Sequence, residues 1–292
     1  MDQQRERIQD DLRGLVAGEV RCDEVFGQLY ASDGSVYEIN PLGVVRPRST
    51  ADVVACVQYA ADMEIPVHAR GSGSGVSGES LGPGIVIDFS RHLRRVIRVD
   101  DEVVRVQPGL VCERLNEQLR SRGKVFGAHP ATGSVTTVGG VLAVDAAGSR
   151  WLKYGSAHSH VRSLQVVLAD GELMEVGQEP AAASAGTVAT GPQSRKQRLV
   201  SLLTSLLRNN AALIERSTRA CPSDRCGYNV AGVLSDKGQL DLARLLVGSE
   251  GTLALITEAT VALAPRARHR GVALLLFENL EKASRAVMRV LP

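Results

Sequence analysis

The sequence predicts an α+β chain, on three observations. Short runs rich in Val and Ile alternate with helical periodicity over the first half, two strand-like runs joined by a tight turn follow, and glycine is clustered between such runs. Glycine contributes 29 residues and clusters at 71–84, 133–148 and 248–251. Glycine used this way marks backbone that turns where a Cβ would clash, or that approaches a partner closely. With 292 residues, 44% hydrophobic and 23% charged, the chain has the size of one large domain or two ordinary ones and can bury a real core.

The elements follow in order. Ser49 or Thr50 caps a helix whose apolar face runs Val53, Val54, Val57, Ala60 and Ala61. Residues 65–69 read as a buried strand that leads into the first glycine cluster. GIVIDF (84–89), 96–99 and VVRVQPG (103–109) read as further strands, and a helix from about Cys112 to Arg122 stops at Gly123. Residues 164–168 and 173–176 flank Ala169-Asp170-Gly171-Glu172, a hairpin turn. Residues 179–193 are small, polar and aperiodic, as in a solvated loop, and Leu199, Leu202, Leu203, Leu206 and Leu207 then have helical spacing. Residues 271–277 and 281–290 read as the first strand and helix of another unit, which suggests a longer protein.

Composition excludes several classes. Aromatic residues at 3% are too few for base-stacking modules, and a net charge of +2 gives no field for nucleic acid. No stretch reaches the roughly 18–20 apolar residues of a membrane span. The start, MDQQRERIQDDLRGL, is charged and acidic, unlike a secretory leader, and five scattered cysteines fit a reducing compartment. The cytoplasm is the expected location, with peripheral membrane contact through an electron acceptor as the alternative. No metal is expected: Cys221 and Cys226 are a C-x4-C pair without a second pair nearby, and His158 and His160 have no visible third ligand.

Gly73-Ser74-Gly75-Val76-Ser77-Gly78 satisfies G-x-G-x-x-G. The nucleotide-binding version of that pattern opens a helix at its third glycine, and Gly82, Pro83 and Gly84 forbid one here. This weakens a nicotinamide dehydrogenase. What remains is five small residues after Arg70, which form either an anion-binding nest of amides or a flexible surface loop. The second cluster, PATGSVTTVGGVLAVDAAGSRWLKYG (130–155), mixes glycines with hydroxyls and with Val135, Val138, Val141, Leu142 and Val144. A buried segment without regular pairing leaves polar groups that a large bound cofactor would satisfy.

RGSGSGVSG after a strand, P-x-T-G-x-x-x-T-x-G-G, A-x-G-x-x-x-x-x-Y-G, V-x-L-A-D-G and G-S-E-G-T-L, in this order, resemble the FAD-linked oxidase family. The resemblance runs from about Tyr30 to Pro265, and PLGVVRPRSTADVVACVQYA (41–60) is similar to the branch of D-lactate, glycolate and D-2-hydroxyglutarate dehydrogenases. It implies a PCMH-type FAD-binding domain of two α/β subdomains, with the start of a cap domain at the C-terminus. The implied limits are a helical lead-in at 1–38, the FAD-binding domain at 39–266 with subdomains of about 39–100 and 101–266, and a truncated cap at 267–292.

The same resemblance implies roles. Gly71, Ser72, Gly73, Ser74 and Gly75 would wrap the pyrophosphate with Arg70 beside it. Pro130, Gly133, Ser134, Thr137, Gly139 and Gly140 would line the ring system and ribityl chain, and Ala147, Gly148, Tyr154 and Gly155 would continue that wall. Glu250, Gly251 and Ile256 would close around the adenosine or ribityl end. Covalent members place a histidine inside the first loop, where this chain has only Gly and Ser, so noncovalent FAD is expected; His68 stands just before it. Ala254 replaces the last glycine of the usual G-S-E-G-T-L-G, a crowding that FAD binding should tolerate. Arg225 and Tyr228, in RCGYN, are the candidate substrate contacts, the arginine offering bidentate geometry to a carboxylate.

The implied function is FAD-dependent oxidation of a 2-hydroxy acid to a 2-oxo acid. Electrons would pass to a quinone, a cytochrome or a fused iron–sulfur domain. The alternatives are an oxidase of another alcohol, such as an aldonolactone, and a flavin-binding module without catalysis of its own. Paired carboxylates for acid–base chemistry are not identifiable, and in the resembled family the substrate pocket lies largely beyond this part of the chain.

Overall fold

The computed structural model describes residues 2–181, 194–218, 227–269 and 271–290. Helix α1 (Gln3–Leu15), strand β1 (Glu19–Arg21) and helix α2 (Glu24–Tyr30) come first, and α1 and α2 are N-capped by Asp2 and Asp23. Strand β2 (Gly43–Arg46), helix α3 (Thr50–Asp62), strand β3 (Val67–Arg70) and strand β4 (Ile85–Asp88) complete a first sheet of order β1-β2-β4-β3. β2, β4 and β3 are parallel and β1 is antiparallel to β2, with α3 as the crossover. Ser49 caps α3 by accepting the amide of Asp52, as its sequence predicts. The buried face runs Val53, Cys56, Val57 and Ala60, and Ala61 is exposed, so the stripe lies slightly off the predicted one.

The second sheet has the order β5-β6-β12-β8-β9. The elements of this part of the chain are β5 (Val96–Val99), β6 (Val103–Val106), α4 (Cys112–Leu119), β7 (Lys124–Val125), α5 (Val138–Ala143), α6 (Trp151–Tyr154), β8 (Val161–Val167), β9 (Leu173–Val176), β10 (Gln178–Pro180), α7 (Arg195–Asn209), α8 (Ala211–Ser217), β11 (Gln239–Asp241), α9 (Leu242–Leu246) and β12 (Leu255–Ala262), with β10 and β11 paired as a separate two-stranded ribbon. A 3₁₀ turn extends α4 to Arg122, and Gly123 ends it at φ 66°, the left-handed conformation its position demands. β8 and β9 form the predicted hairpin, with Gly171 at φ 83°. β12 lies between β6 and β8, antiparallel to both, and Leu255 and Val167 from this sheet enter the core of the first. The two layers are thereby joined behind the first glycine cluster.

The chain ends in β13 (Ala264–Pro265), paired with β7, and helix α10 (Leu280–Val290). Residues 271–277 do not form the predicted strand. Val272, Leu274, Leu275 and Leu276 are exposed, and among the described residues no strand lies alongside to take their backbone hydrogen bonds. The predicted loop at 179–193 is described only as far as Ala181, and β10 occupies its first residues.

Candidate functional site

β3 delivers Arg70 at the edge of the first sheet, and the chain then turns through residues 71–80 without a helix. Gly73 has φ 66° and Gly78 φ 82°, conformations open to glycine at little cost. Among the described residues, the amides of Ser72, Gly73, Ser74, Gly75 and Val76 donate to no acceptor. Consecutive free amides on a turn make an anion-binding concavity. The guanidinium of Arg70 lies beneath the turn, 8% exposed, donating to the carbonyls of Ser32 at 2.8 Å and Tyr30 at 3.4 Å. Burial lowers its pKa from the ordinary arginine value, against the pull of Tyr30, Asp33 and Asp88.

Three arginines and two aromatic rings stack toward this point. Arg21 lies 4.8 Å from the ring of Phe26, Arg46 4.7 Å from Phe26 and 5.7 Å from Tyr30, and Arg70 5.2 Å from Tyr30. Buried Asp88 anchors the stack: it accepts Tyr30 Oη–H at 2.6 Å and Ser90 Oγ–H at 2.6 Å and lies 3.4 Å from Arg46 Nε. Residues 32–38 clamp the loop from above. Gly34 N donates to the Gly73 carbonyl at 3.0 Å, Ser80 Oγ to Asp33 at 3.0 Å, and the ring of Tyr37 lies against Gly78. Sequence reasoning missed this clamp, since no motif marks a polar turn that acts only through contact.

The second cluster meets the first directly. Thr137 caps α5, and a Cβ on Gly71 would collide with its Oγ1. Hydroxyls bridge the two loops in a chain from Ser72 to Ser74 (3.2 Å), Thr136 (2.9 Å) and Thr132 (2.7 Å). Gly139 lets α5 approach Pro108, whose Cβ would lie 2.7 Å from a Cβ at that glycine. A cleft runs between the loops and is closed by the turn after α9, where Glu250 takes φ 52° and Gly251 φ 79°.

Of the residues singled out from sequence, Arg70, Gly71, Ser72, Gly73, Ser74, Gly75, Pro130, Thr137, Gly139, Gly140, Glu250, Gly251 and Ile256 line this cleft. Gly133, Ser134, Ala147, Gly148, Tyr154 and Gly155 do not. Gly148 lies against the backbone of His129, and Tyr154 faces a second, polar cleft with His129, Arg120, Lys124, Arg150 and Arg266. The segment is thus a wall with two sides, and periodicity could not tell which side each residue serves. Tyr228 does not line the cleft, and its hydroxyl lies 2.9 Å from Oγ1 of Thr252, the neighbour of the lining Gly251; Arg225, Cys221 and Cys226 lie outside the described residues. Glu79, Phe89, Pro108, Thr132, Thr136 and Ala254 also line the cleft. Thr132 and Thr136 could have been found as the hydroxyl-bearing positions of the second motif.

His68 lies against Gly82 and does not line the cleft. His158 Nδ1 is 2.7 Å from Asp145, and His160 Nε2 donates to the Tyr154 carbonyl at 2.7 Å. Among the described residues no group of three or more His, Cys, Asp or Glu is placed to hold a metal. Burial lowers His68 and His160 below the usual 6.5. The folded state therefore keeps them neutral where the unfolded chain takes up protons, and they contribute stability that is lost as pH falls below about 6.5. Thermal melts between pH 7.5 and 5.5 should show a falling midpoint, and a flat profile would remove this coupling.

The free amides beside a buried cation, the hydroxyl bridge and the apolar far wall fit a long dinucleotide with an anionic middle. The comparisons agree. Residues 41–177 match the family described as FAD binding domain. The chain is 33% identical over 261 residues to the D-2-hydroxyglutarate dehydrogenase of Pantoea ananatis, covering 87% of this chain and 25% of that protein. It is 30% identical over 249 residues to the D-lactate dehydrogenase of Archaeoglobus fulgidus, covering 85% and 44%. The chain thus spans between a quarter and a half of the length of these relatives. A solved alkyldihydroxyacetonephosphate synthase superposes with a TM-score of 0.60 at 19% identity, covering 89% of this chain and 40% of that one, and so shares the fold. Residues 41–177 therefore form a domain that matches the FAD binding domain, and FAD is its cofactor.

Proposed function

We propose that the protein to which this chain belongs oxidises a 2-hydroxy acid, of the D-2-hydroxyglutarate, D-lactate or glycolate type, to the 2-oxo acid. The single observation that carries the reading is the glycine-loop cleft in a chain about one-third identical to a D-2-hydroxyglutarate dehydrogenase. When bound, FAD supplies the hydride acceptor. The residues of this chain bind and orient it. The amides of residues 72–76 hold the pyrophosphate, with Arg70 fixing the turn from below. Pro130, Thr137, Gly139 and Gly140 support the ring and ribityl chain, and Glu250, Gly251 and Ile256 close around the adenosine or ribityl end. Gly133, Ser134, Ala147, Gly148, Tyr154 and Gly155 act at one remove, by holding the wall in place. Tyr228, beside Thr252 and so next to the lining Gly251, is the candidate contact with substrate.

FAD is held noncovalently on this reading, because residues 71–78 contain only Gly, Ser and Val and His68 faces away toward Gly82. The reduced cofactor passes its electrons to a quinone, a cytochrome or a fused iron–sulfur domain. No helix among the described residues is long and apolar enough to cross a membrane. On this reading the enzyme works in the cytoplasm, with peripheral membrane contact through its electron acceptor as the alternative. The test is anaerobic mixing of the full-length protein with D-2-hydroxyglutarate, D-lactate or glycolate. Bleaching of the flavin absorbance by one of them is expected. Bleaching by an aldonolactone alone would transfer the reading to another alcohol, and no bleaching by any alcohol would leave a flavin-binding module.

A further inference from the structure

Glu79 follows the first glycine loop and turns back onto it. Its Oε2 accepts the amide of Ser77 at 3.2 Å, and its carboxylate fills the place that a Cβ on Gly75 would take. The side chain lines the cleft at the turn whose amides from Ser72 to Val76 are free. Three other charged groups bear on this position. Arg70, on β3, is turned beneath the loop toward carbonyl oxygens and makes no ion pair with Glu79. Asp33, in the clamp, is engaged by Ser80 and Ser35. Glu250, on the opposite wall, is raised above the usual carboxylate value, first by burial and then by the charge of Glu79. Two carboxylates therefore share a cleft whose geometry suits an anion, and one of them rests on the loop itself.

We infer that Glu79 sets the affinity for the cofactor: its carboxylate occupies space at the first loop that the pyrophosphate of FAD must enter, so FAD binds only as this side chain swings out. The inference rests on the reading that residues 72–76 hold the pyrophosphate. The physical basis is like-charge repulsion in a partly desolvated cleft, where a unit charge several ångströms from a phosphate changes binding by at least about tenfold. Gly75 is what makes the arrangement possible, since any side chain there would expel the carboxylate.

The experiment measures dissociation constants for FAD and for ADP-ribose with the full-length apoprotein and its Glu79→Gln, Glu79→Asp and Gly73→Val variants. Chemical melts without ligand accompany each. Glu79→Gln is expected to tighten both ligands by about tenfold or more with an unchanged melt, and Glu79→Asp, which keeps the charge, to stay near the parent. Equal or weaker binding by Glu79→Gln overturns the inference, and weaker binding would make Glu79 a cofactor ligand. If Glu79→Gln fails to fold, Glu79→Ala supplies the neutral arm. Gly73→Val separates the two readings. If it loses FAD while Glu79→Gln changes nothing, only the role of Glu79 fails; if it keeps FAD, the loop assignment fails with it.

Discussion

Replacing Gly73 with valine should lower FAD affinity at least about 100-fold, which leaves purified protein colourless while its far-ultraviolet circular dichroism stays native. Two costs act together. Gly73 has φ 66°, where a β-branched residue is strained by at least about 1–2 kcal/mol. A Cβ there would also collide with the guanidinium of Arg70. That group is buried and tied to the Ser32 carbonyl at 2.8 Å, so it cannot step aside without breaking the hold on the loop. The turn opens, and the amides of residues 72–76 no longer converge. Gly75 lacks a positive φ, and its neighbour is the movable end of Glu79, so Gly75→Ala should cost much less than Gly73→Ala. Equal flavin content in Gly73→Val and the parent would refute the pyrophosphate assignment.

Replacing Asp88 with alanine should destabilise the fold by about 3–5 kcal/mol, the usual cost of leaving buried charges without their partner. Asp88 is 4% exposed and accepts hydrogen bonds from Tyr30 and from Ser90. It also faces Arg46, so its loss strands the arginine stack that ends under the first loop. At this chain length the melting midpoint should fall by about 6–15 °C, and FAD affinity should weaken with it because Arg70 is then less well held. Tyr30→Phe keeps the ring and removes the hydroxyl, and should cost only about 1–2 kcal/mol. Burial, then the hydrogen bond to Asp88, pushes Tyr30 up to about 12. The folded state holds that proton where the unfolded chain begins to lose it near 10, so this contribution declines as pH rises above about 10. Denaturant melts of the variants check these values. A change below about 1 kcal/mol for Asp88→Ala would mean that the stack is not anchored there.

Much of this was written in local chemistry. Ser49 as cap, Gly123 as stop, the turn at Asp170-Gly171 and the strand running into Arg70 each depend on neighbours within a few residues, and the folded chain keeps them. The absence of a helix after Gly78 was equally legible, because Pro83 and two glycines leave no room for one. What stayed hidden depends on distant pairing. β12 inserts between β6 and β8, so Thr260 lies opposite Arg105 and Ser163, and no local pattern encodes that order. The clamp at 32–38 is ordinary turn sequence whose meaning comes from Gly34 touching Gly73. Gly148 and Tyr154 belong to the motif that carried the resemblance, yet Tyr154 lines the second cleft and Gly148 packs on the backbone of His129. Residues 271–277 have strand composition without a described neighbour to pair with.

The central claim is that two glycine loops, joined by hydroxyls and backed by Arg70, hold FAD without a covalent bond. The most direct measurement is the absorption spectrum of the purified, FAD-reconstituted full-length protein, before and after denaturation and removal of the precipitate. Equimolar flavin in the native protein, all of it released into the supernatant, is the predicted result. Protein that takes up no flavin on reconstitution, or flavin that remains attached to the denatured chain, would contradict it.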